Sequence, residues 1–219
     1  MRQLLLDLLP EAPPSLDNFA PGGNGEALAA LRAWLAGEAG EPCLLFWGDT
    51  GSGKTHLLRA SGFLYADAQQ NPALTDLSPT AQDWAVDNVE ALDAAGQGTL
   101  FNFINRIRAQ GIGRLLCAAH SAPLHLALRE DVRNRLGQGL IYRLTPLSDA
   151  EKLAALDAQA RDRAMSFSQE GLAYLLRHAS RDMRTLSSLM TALDRYSLER
   201  QRPITLPLLR EVLAATPES

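Results

Sequence analysis

Residues 48–55 read Gly48-Asp49-Thr50-Gly51-Ser52-Gly53-Lys54-Thr55 and fit the pattern G-x-x-x-x-G-K-[ST]. The setting makes the pattern constraining. The apolar run Cys43-Leu44-Leu45-Phe46-Trp47 comes just before it and His56-Leu57-Leu58-Arg59-Ala60 just after, so the motif joins a buried strand to the start of a helix. In that position the backbone N–H groups of a glycine-rich loop converge on phosphate oxygens and the helix N-terminus adds a positive dipole. Gly48, Thr50, Gly51, Ser52, Gly53, Lys54, Thr55 and His56 form the expected cradle. Lys54 is the counter-charge to the β and γ phosphates, and the Thr55 hydroxyl is a ligand for Mg²⁺. The alternative is a plain glycine-rich turn between strand and helix. The reading that follows from strand, loop and helix together is that the chain binds a nucleoside di- or triphosphate.

The remaining pattern extends this unit into an α/β sheet. A helix with Leu28, Leu31, Trp34 and Leu35 at helical spacing precedes the loop strand and ends at the glycines of 37–40. Trp84-Ala85-Val86-Asp87 reads as a second clear strand, 101–110 as a helix, and Leu115-Leu116-Cys117-Ala118-Ala119 as a further strand. Strands alternating with helices imply a parallel sheet. From Glu130 onward the pattern reads as helix after helix, with 149–163 (N-cap Ser148), 168–179 (N-cap Ser168), 182–198 and 206–214 as four pieces of a small all-α lid. Pro10, Pro13 and Pro14 set off a leucine-rich head. The expected division is thus an arm at 1–14, a core at 15–146 and a lid at 147–219.

With 219 residues and 46% hydrophobic side chains, the chain has enough apolar material for a core and a small lobe. A net charge of −4 without a dense basic block argues against DNA binding as the main activity, so contact with DNA is expected only indirectly. Both cysteines, Cys43 and Cys117, fall inside apolar runs and read as buried strand residues, as suits a reducing cytoplasm. No stretch reaches the length of a membrane span, and the N-terminus lacks the layout of a signal peptide.

Asp87 closes an apolar strand, where a carboxylate can order Mg²⁺ through water. The next residue is Asn88. An amide cannot take up a proton, so poor intrinsic hydrolysis is expected, and Glu90 stands too far along the chain to be an evident substitute.

Five ordered stretches carry a family resemblance over nearly the whole chain. They are Ser15-Leu16-Asp17-Asn18-Phe19 with Pro21-Gly22 and Asn24, residues 48–55, Val86-Asp87-Asn88-Val89-Glu90, Arg135-Leu136 with Gly139, and Arg181-Asp182-Met183-Arg184-Thr185-Leu186. Together they resemble the AAA+ module of the bacterial replication initiator DnaA, and most closely its regulatory-inactivation relatives, the Hda family. The resemblance implies an AAA+ core with a parallel five-stranded sheet flanked by helices, followed by a helical lid. It implies ADP or ATP with Mg²⁺ as cofactors, Phe19, Pro21 and Gly22 beside the adenine, and Arg184 as the lid arginine that contacts phosphate. Arg135 would be an arginine finger acting in trans, with Arg129 and Arg133 as neighbours open to confusion with it. The N-terminal Gln3-Leu4-Leu5-Leu6-Asp7-Leu8 resembles the peptide by which proteins dock on the β sliding clamp of DNA polymerase III, with Gln3, Leu4, Leu6 and Leu8 as the contacts.

The chain ends at Ser219 after the lid, where the initiator itself would continue into a helix-turn-helix domain. The resemblance therefore implies a cytoplasmic bacterial regulator that docks on the DNA-loaded clamp, stimulates ATP hydrolysis by DnaA and lowers initiation, with a nucleotide-dependent homo-oligomer as a further expectation. A self-contained ATPase of the helicase-loader or clamp-loader type, or a nucleotide-binding adaptor without stimulating activity, are the rival readings. Two departures from the family pattern stand out. His120, in Ala118-Ala119-His120-Ser121-Ala122-Pro123, occupies a place where an acid is usual, and the segment from Lys54 to Gly62 is short.

Overall fold

The computed structural model describes residues 13–77, 82–163, 165, 167–178, 182–200 and 204–214, which divide into two compact units that meet at Pro146 and Leu147. In the first unit the order is α1 (Gly25–Leu35), β1 (Cys43–Trp47), α2 (Lys54–Ala60), β2 (Leu64–Asp67), β3 (Trp84–Asp87), α3 (Ala94–Gln110), β4 (Leu115–Ala119), α4 (Glu130–Gly137) and β5 (Leu140–Arg143). The strands form one parallel sheet in the order β2-β3-β4-β1-β5. The expected AAA+ architecture of five parallel strands flanked by helices is therefore present.

Alternation along the central strands builds two apolar layers. Cys43 and Leu45 of β1, Trp84 and Val86 of β3, and Leu115, Cys117 and Ala119 of β4 pack with Leu100, Phe103, Ile104 and Ile107 of α3 and Val132 and Leu136 of α4. On the opposite face Leu44, Phe46, Ala85, Leu116 and Ala118 meet Leu31 and Trp34 of α1 and Leu57 and Leu58 of α2. Both cysteines are free and buried. Burial pushes the Cys43 thiol up to about 12 and the Cys117 thiol well above its ordinary value, so neither is a nucleophile at neutral pH.

Three local differences from the sequence reading have physical causes. The helix expected at 101–110 begins earlier, at Ala94, because Asp93 caps it: its Oδ1 accepts from the Gly96 N–H at 2.7 Å and offsets the weak propensity of two early glycines. The run of helices expected from Glu130 is interrupted by β5, a sheet-edge strand whose alternating half-exposed residues give little apolar signal. At the other edge, β2 follows a seven-residue α2 and has only four residues, so this side of the sheet is short.

The second unit is helical: α5 (Asp149–Asp162), α6 (Gln169–His178), α7 (Met183–Arg200) and α8 (Leu206–Ala214). Leu156, Leu172, Leu175, Leu186, Met190, Leu193 and Leu209 share its core. Ser148 and Glu151 form a reciprocal capping box on α5, and the Ser168 hydroxyl accepts from the Gly171 N–H at the start of α6. Among the described residues no helix is long and apolar enough to cross a membrane.

Candidate functional site

The loop at 48–53 leaves β1 at the carboxyl edge of the sheet, where ligands bind in open α/β folds. Two of its glycines are required by geometry. Gly48 has φ +151°, and a Cβ there would lie 2.0 Å from the Leu144 carbonyl oxygen; its own N–H donates to the Ala119 carbonyl at 3.2 Å. Gly53 has φ +93°, and a Cβ would stand 2.6 Å from Cε2 of Phe19. Thr50 and Gly51 are exposed at the crown, whereas Ser52 is buried beneath it. The Lys54 ammonium folds back over the loop and donates to the Gly48 carbonyl at 2.6 Å, the Asp49 carbonyl at 2.9 Å and Ser52 Oγ at 3.4 Å. Burial pulls its pKa below the usual value, and the carboxylates of Asp87, Glu90 and Asp49 work against that shift.

Asp87, at the end of β3, is 1% exposed. Its Oδ2 accepts from Thr55 Oγ1 at 2.6 Å and from the Tyr65 hydroxyl at 2.9 Å, and its Oδ1 accepts from the Asn88 N–H at 3.0 Å. Three donors thus keep a buried carboxylate ionised and fixed. Burial, then the charge of Asp87, pushes the Tyr65 phenol up to about 12, so it remains a donor at any working pH. The Thr55 hydroxyl and the Asp87 carboxylate form a hard oxygen pair beside the phosphate loop, which fits a Mg²⁺ ion that keeps several waters and takes phosphate oxygens as its other ligands. Among the described residues no group of three His, Cys, Asp or Glu side chains could hold a metal by itself, in keeping with that mode.

Asn88 stands in the left-handed region, φ +55°, and its side chain turns away along the edge of the sheet: Nδ2 donates to Asp67 Oδ1 at 2.9 Å. The next turn, residues 89–91, brings Glu90 back. Its Oε1 lies 3.0 Å from His120 Nδ1, and its charge acts on Lys54. The expectation that Glu90 is too distant along the chain to serve is therefore corrected by the fold.

The segment before α1 braces the loop from outside. Phe19 is 9% exposed, its ring against Gly53 and 5.5 Å from the His56 ring. His56 Nε2 donates to the Ser15 carbonyl at 2.9 Å. Pro21 and Gly22 are exposed, and Asn24 is buried and bonded to Thr145 on both sides: Nδ2 donates to its carbonyl at 2.9 Å and Oδ1 accepts its N–H at 2.8 Å. Sequence reasoning missed Tyr65 and the Asn24–Thr145 pair. Tyr65 sits on β2, the four-residue edge strand beside β3, and Thr145 is far away in sequence, so neither carried a local signal.

Three arginines near α4 differ in their partners. Arg129 pairs with Asp131 at 2.5 Å and Arg133 donates to the Leu124 carbonyl at 3.3 Å. Arg135 donates to Gln138 Oε1 at 3.0 Å and lies 5.9 Å from the Phe101 ring centre; among the described residues no carboxylate is within ion-pair distance of it. Arg184 is exposed at the start of α7 in the second unit, where Asp182 caps the helix through the Thr185 N–H at 3.1 Å. Gln3, Leu4, Leu6 and Leu8 lie outside the described residues, as does Arg181.

Residues 149–213 match the family model described as Hda, lid domain. Among solved structures, domain III of the Thermotoga maritima replication initiation protein DnaA is 19% identical, covers 94% of this chain and 98% of its own length, and superposes with a TM-score of 0.68. The AMPPCP-bound DnaA of Aquifex aeolicus is 19% identical over 89% of this chain and 71% of that one, with a TM-score of 0.62. The Thermotoga maritima RuvB Holliday junction branch migration motor is 19% identical over 92% and 72%, with a TM-score of 0.65. At these identities the structural matches speak for the fold. With an Hda-type lid following a core of that fold, the chain is an Hda-like member of the DnaA-related AAA+ proteins.

Proposed function

We propose that this chain is a nucleotide-binding negative regulator of replication initiation that acts on the initiator DnaA. The observation that carries the reading is the Hda lid match at 149–213 on a core whose phosphate loop, Thr55 and Asp87 are already joined. ADP or ATP would sit on Gly48, Thr50, Gly51, Ser52, Gly53, Lys54, Thr55 and His56, with Mg²⁺ held through water by Thr55 and Asp87. On binding, Lys54 would exchange its loop carbonyls for phosphate oxygens. Phe19, Pro21 and Gly22 would border the base, with Phe19 also propping the loop, and Arg184 would contact phosphate from the lid.

Arg135 is the arginine finger of this reading, directed at the nucleotide of a neighbouring DnaA. A guanidinium delivered in trans is worth on the order of 10³–10⁵ in rate because it meets charge that develops in the transition state. Its neutral partner, Gln138, supports the choice: the charge of Arg129 is already met by Asp131, whereas that of Arg135 is not met by any described carboxylate. The leucine-rich arm, through Gln3, Leu4, Leu6 and Leu8, would dock on the β sliding clamp and bring the protein to DNA indirectly.

The test is ATP hydrolysis by DnaA in the presence of DNA-loaded clamp, with the intact protein, Arg135→Ala and a form lacking residues 1–9. Stimulation by the intact protein that is lost in both variants is the expected outcome. Full stimulation by Arg135→Ala would remove the finger assignment, and none by the intact protein would favour an adaptor with another partner.

A further inference from the structure

Glu90 and His120 meet across the carboxyl edge of the sheet. His120 follows β4, which lies between β1 and β3, so the sheet order itself sets this side chain between the phosphate loop and Asp87. Glu90 comes from the single turn after β3, and its Oε1 is 3.0 Å from His120 Nδ1. Its other oxygen, Oε2, is buried and has no hydrogen-bond partner among the described residues; the same holds for the hydroxyl of Ser121, next to His120. A buried carboxylate oxygen with uncommitted lone pairs is costly, on the order of 1–3 kcal/mol or more, and such groups mark functional positions more often than packing. The carboxylate also acts on Lys54, so it faces the phosphate loop. Asn88, the residue directly after Asp87, is instead committed to Asp67.

We propose that Glu90, oriented by His120, is the general base of this chain's own hydrolysis of a nucleoside triphosphate. The inference rests on the nucleotide-site reading above. In the step, a water oxygen bonds to the terminal phosphorus while the bond from that phosphorus to the bridging oxygen breaks. The electron pair leaves with the diphosphate, and the water proton passes to the Glu90 carboxylate. His120 is a positioning residue: by holding Oε1 it fixes the plane of the carboxylate and leaves Oε2 for the water. The chain would then convert its own bound triphosphate to the diphosphate form, so that the form it holds is set by its own chemistry as well as by affinity.

The experiment uses the full-length protein with ATP and ADP as probes and two readouts, equilibrium affinity for each nucleotide and the identity of the nucleotide recovered from the protein after a single-turnover incubation. Wild type is expected to yield ADP. Glu90→Gln is expected to bind both nucleotides as wild type does but to release intact ATP, with turnover lowered by about 10²-fold or more, as removal of a general base gives. His120→Ala is expected to lower turnover by roughly 10-fold, and His120→Asn, which can place an amide N–H near Nδ1, to recover most of it. Equal turnover in wild type and Glu90→Gln, or none in wild type that binds ATP, overturns the proposal alone. Loss of nucleotide binding in Glu90→Gln overturns it in favour of a structural role, and His120→Asn no better than His120→Ala removes the positioning role. Failure of wild type to bind either nucleotide would overturn the nucleotide-site reading itself.

Discussion

Replacing Asn88 by aspartate tests the geometry against the most direct idea suggested by sequence. On the idea that this chain is a weak ATPase because position 88 lacks an acid, Asn88→Asp should restore turnover. The structure gives the opposite expectation. Asn88 Nδ2 donates to Asp67 Oδ1 at 2.9 Å, so the variant removes that bond and sets two carboxylates against each other. A lost hydrogen bond to a charged group is worth about 1.5–3 kcal/mol. Like charges near 4 Å repel by about 1 kcal/mol in water and about 4 at an effective dielectric of 20. Both residues are partly exposed, which places the sum toward the low end, about 2–3 kcal/mol. For a chain of this size that is a fall in Tm of roughly 5–10 °C. Differential scanning calorimetry across pH measures it, with the sign fixed by linkage. Repulsion raises the folded-state pKa of the carboxylate pair, so the penalty is full at neutral pH and shrinks as pH falls through the carboxylate range near 4. No gain in ATP turnover is expected. An Asn88→Asp protein as stable as wild type at pH 7, or one with turnover raised about tenfold or more, would refute the placement of this side chain.

Two further outcomes follow from other parts of the core. Asn24→Ala removes both arms of the bond to Thr145 and should destabilise the core by about 1–2 kcal/mol, since Thr145 is exposed enough for water to replace part of what is lost; urea unfolding with an unchanged m-value is the measure. Phosphate ligands favour the Lys54 ammonium, whose pKa in the free protein lies below the usual 10.5, so nucleotide binding should take up protons and weaken as pH rises through that lowered value. Calorimetric titration in buffers of different ionisation enthalpy reads this uptake directly, and release of protons instead would contradict the burial of Lys54.

What the sequence made legible depended on burial. β1, β3 and β4 are covered on both faces and appear as apolar runs, whereas β2 and β5 close the sheet at its edges and appear as half-polar fragments. The phosphate loop was readable because its glycines, lysine and threonine are contiguous. The environment of Asp87 was not, because two of its three donors, Thr55 and Tyr65, arrive from other elements. Asn88 and Glu90 were misjudged for one reason: a left-handed residue at 88 turns the chain, so sequence adjacency to Asp87 and spatial adjacency to the phosphate loop part company. Asn24 was quoted as part of a motif, yet its work, closing onto Thr145, is invisible without the fold.

The order β2-β3-β4-β1-β5 also governs when the phosphate loop can exist during synthesis. β1 pairs with β4 and β5, whose residues follow it by about 70 and about 95 positions, and with no strand made before them. A nascent chain leaving the ribosome therefore carries residues 48–55 long before anything can hold them in place. Loop closure over such separations is slow, and the apolar strand 43–47 stays unpaired until the chain has passed Arg143. The earliest motif in the sequence is thus among the last structures to form, and an excess of nucleotide cannot rescue a chain truncated before residue 140.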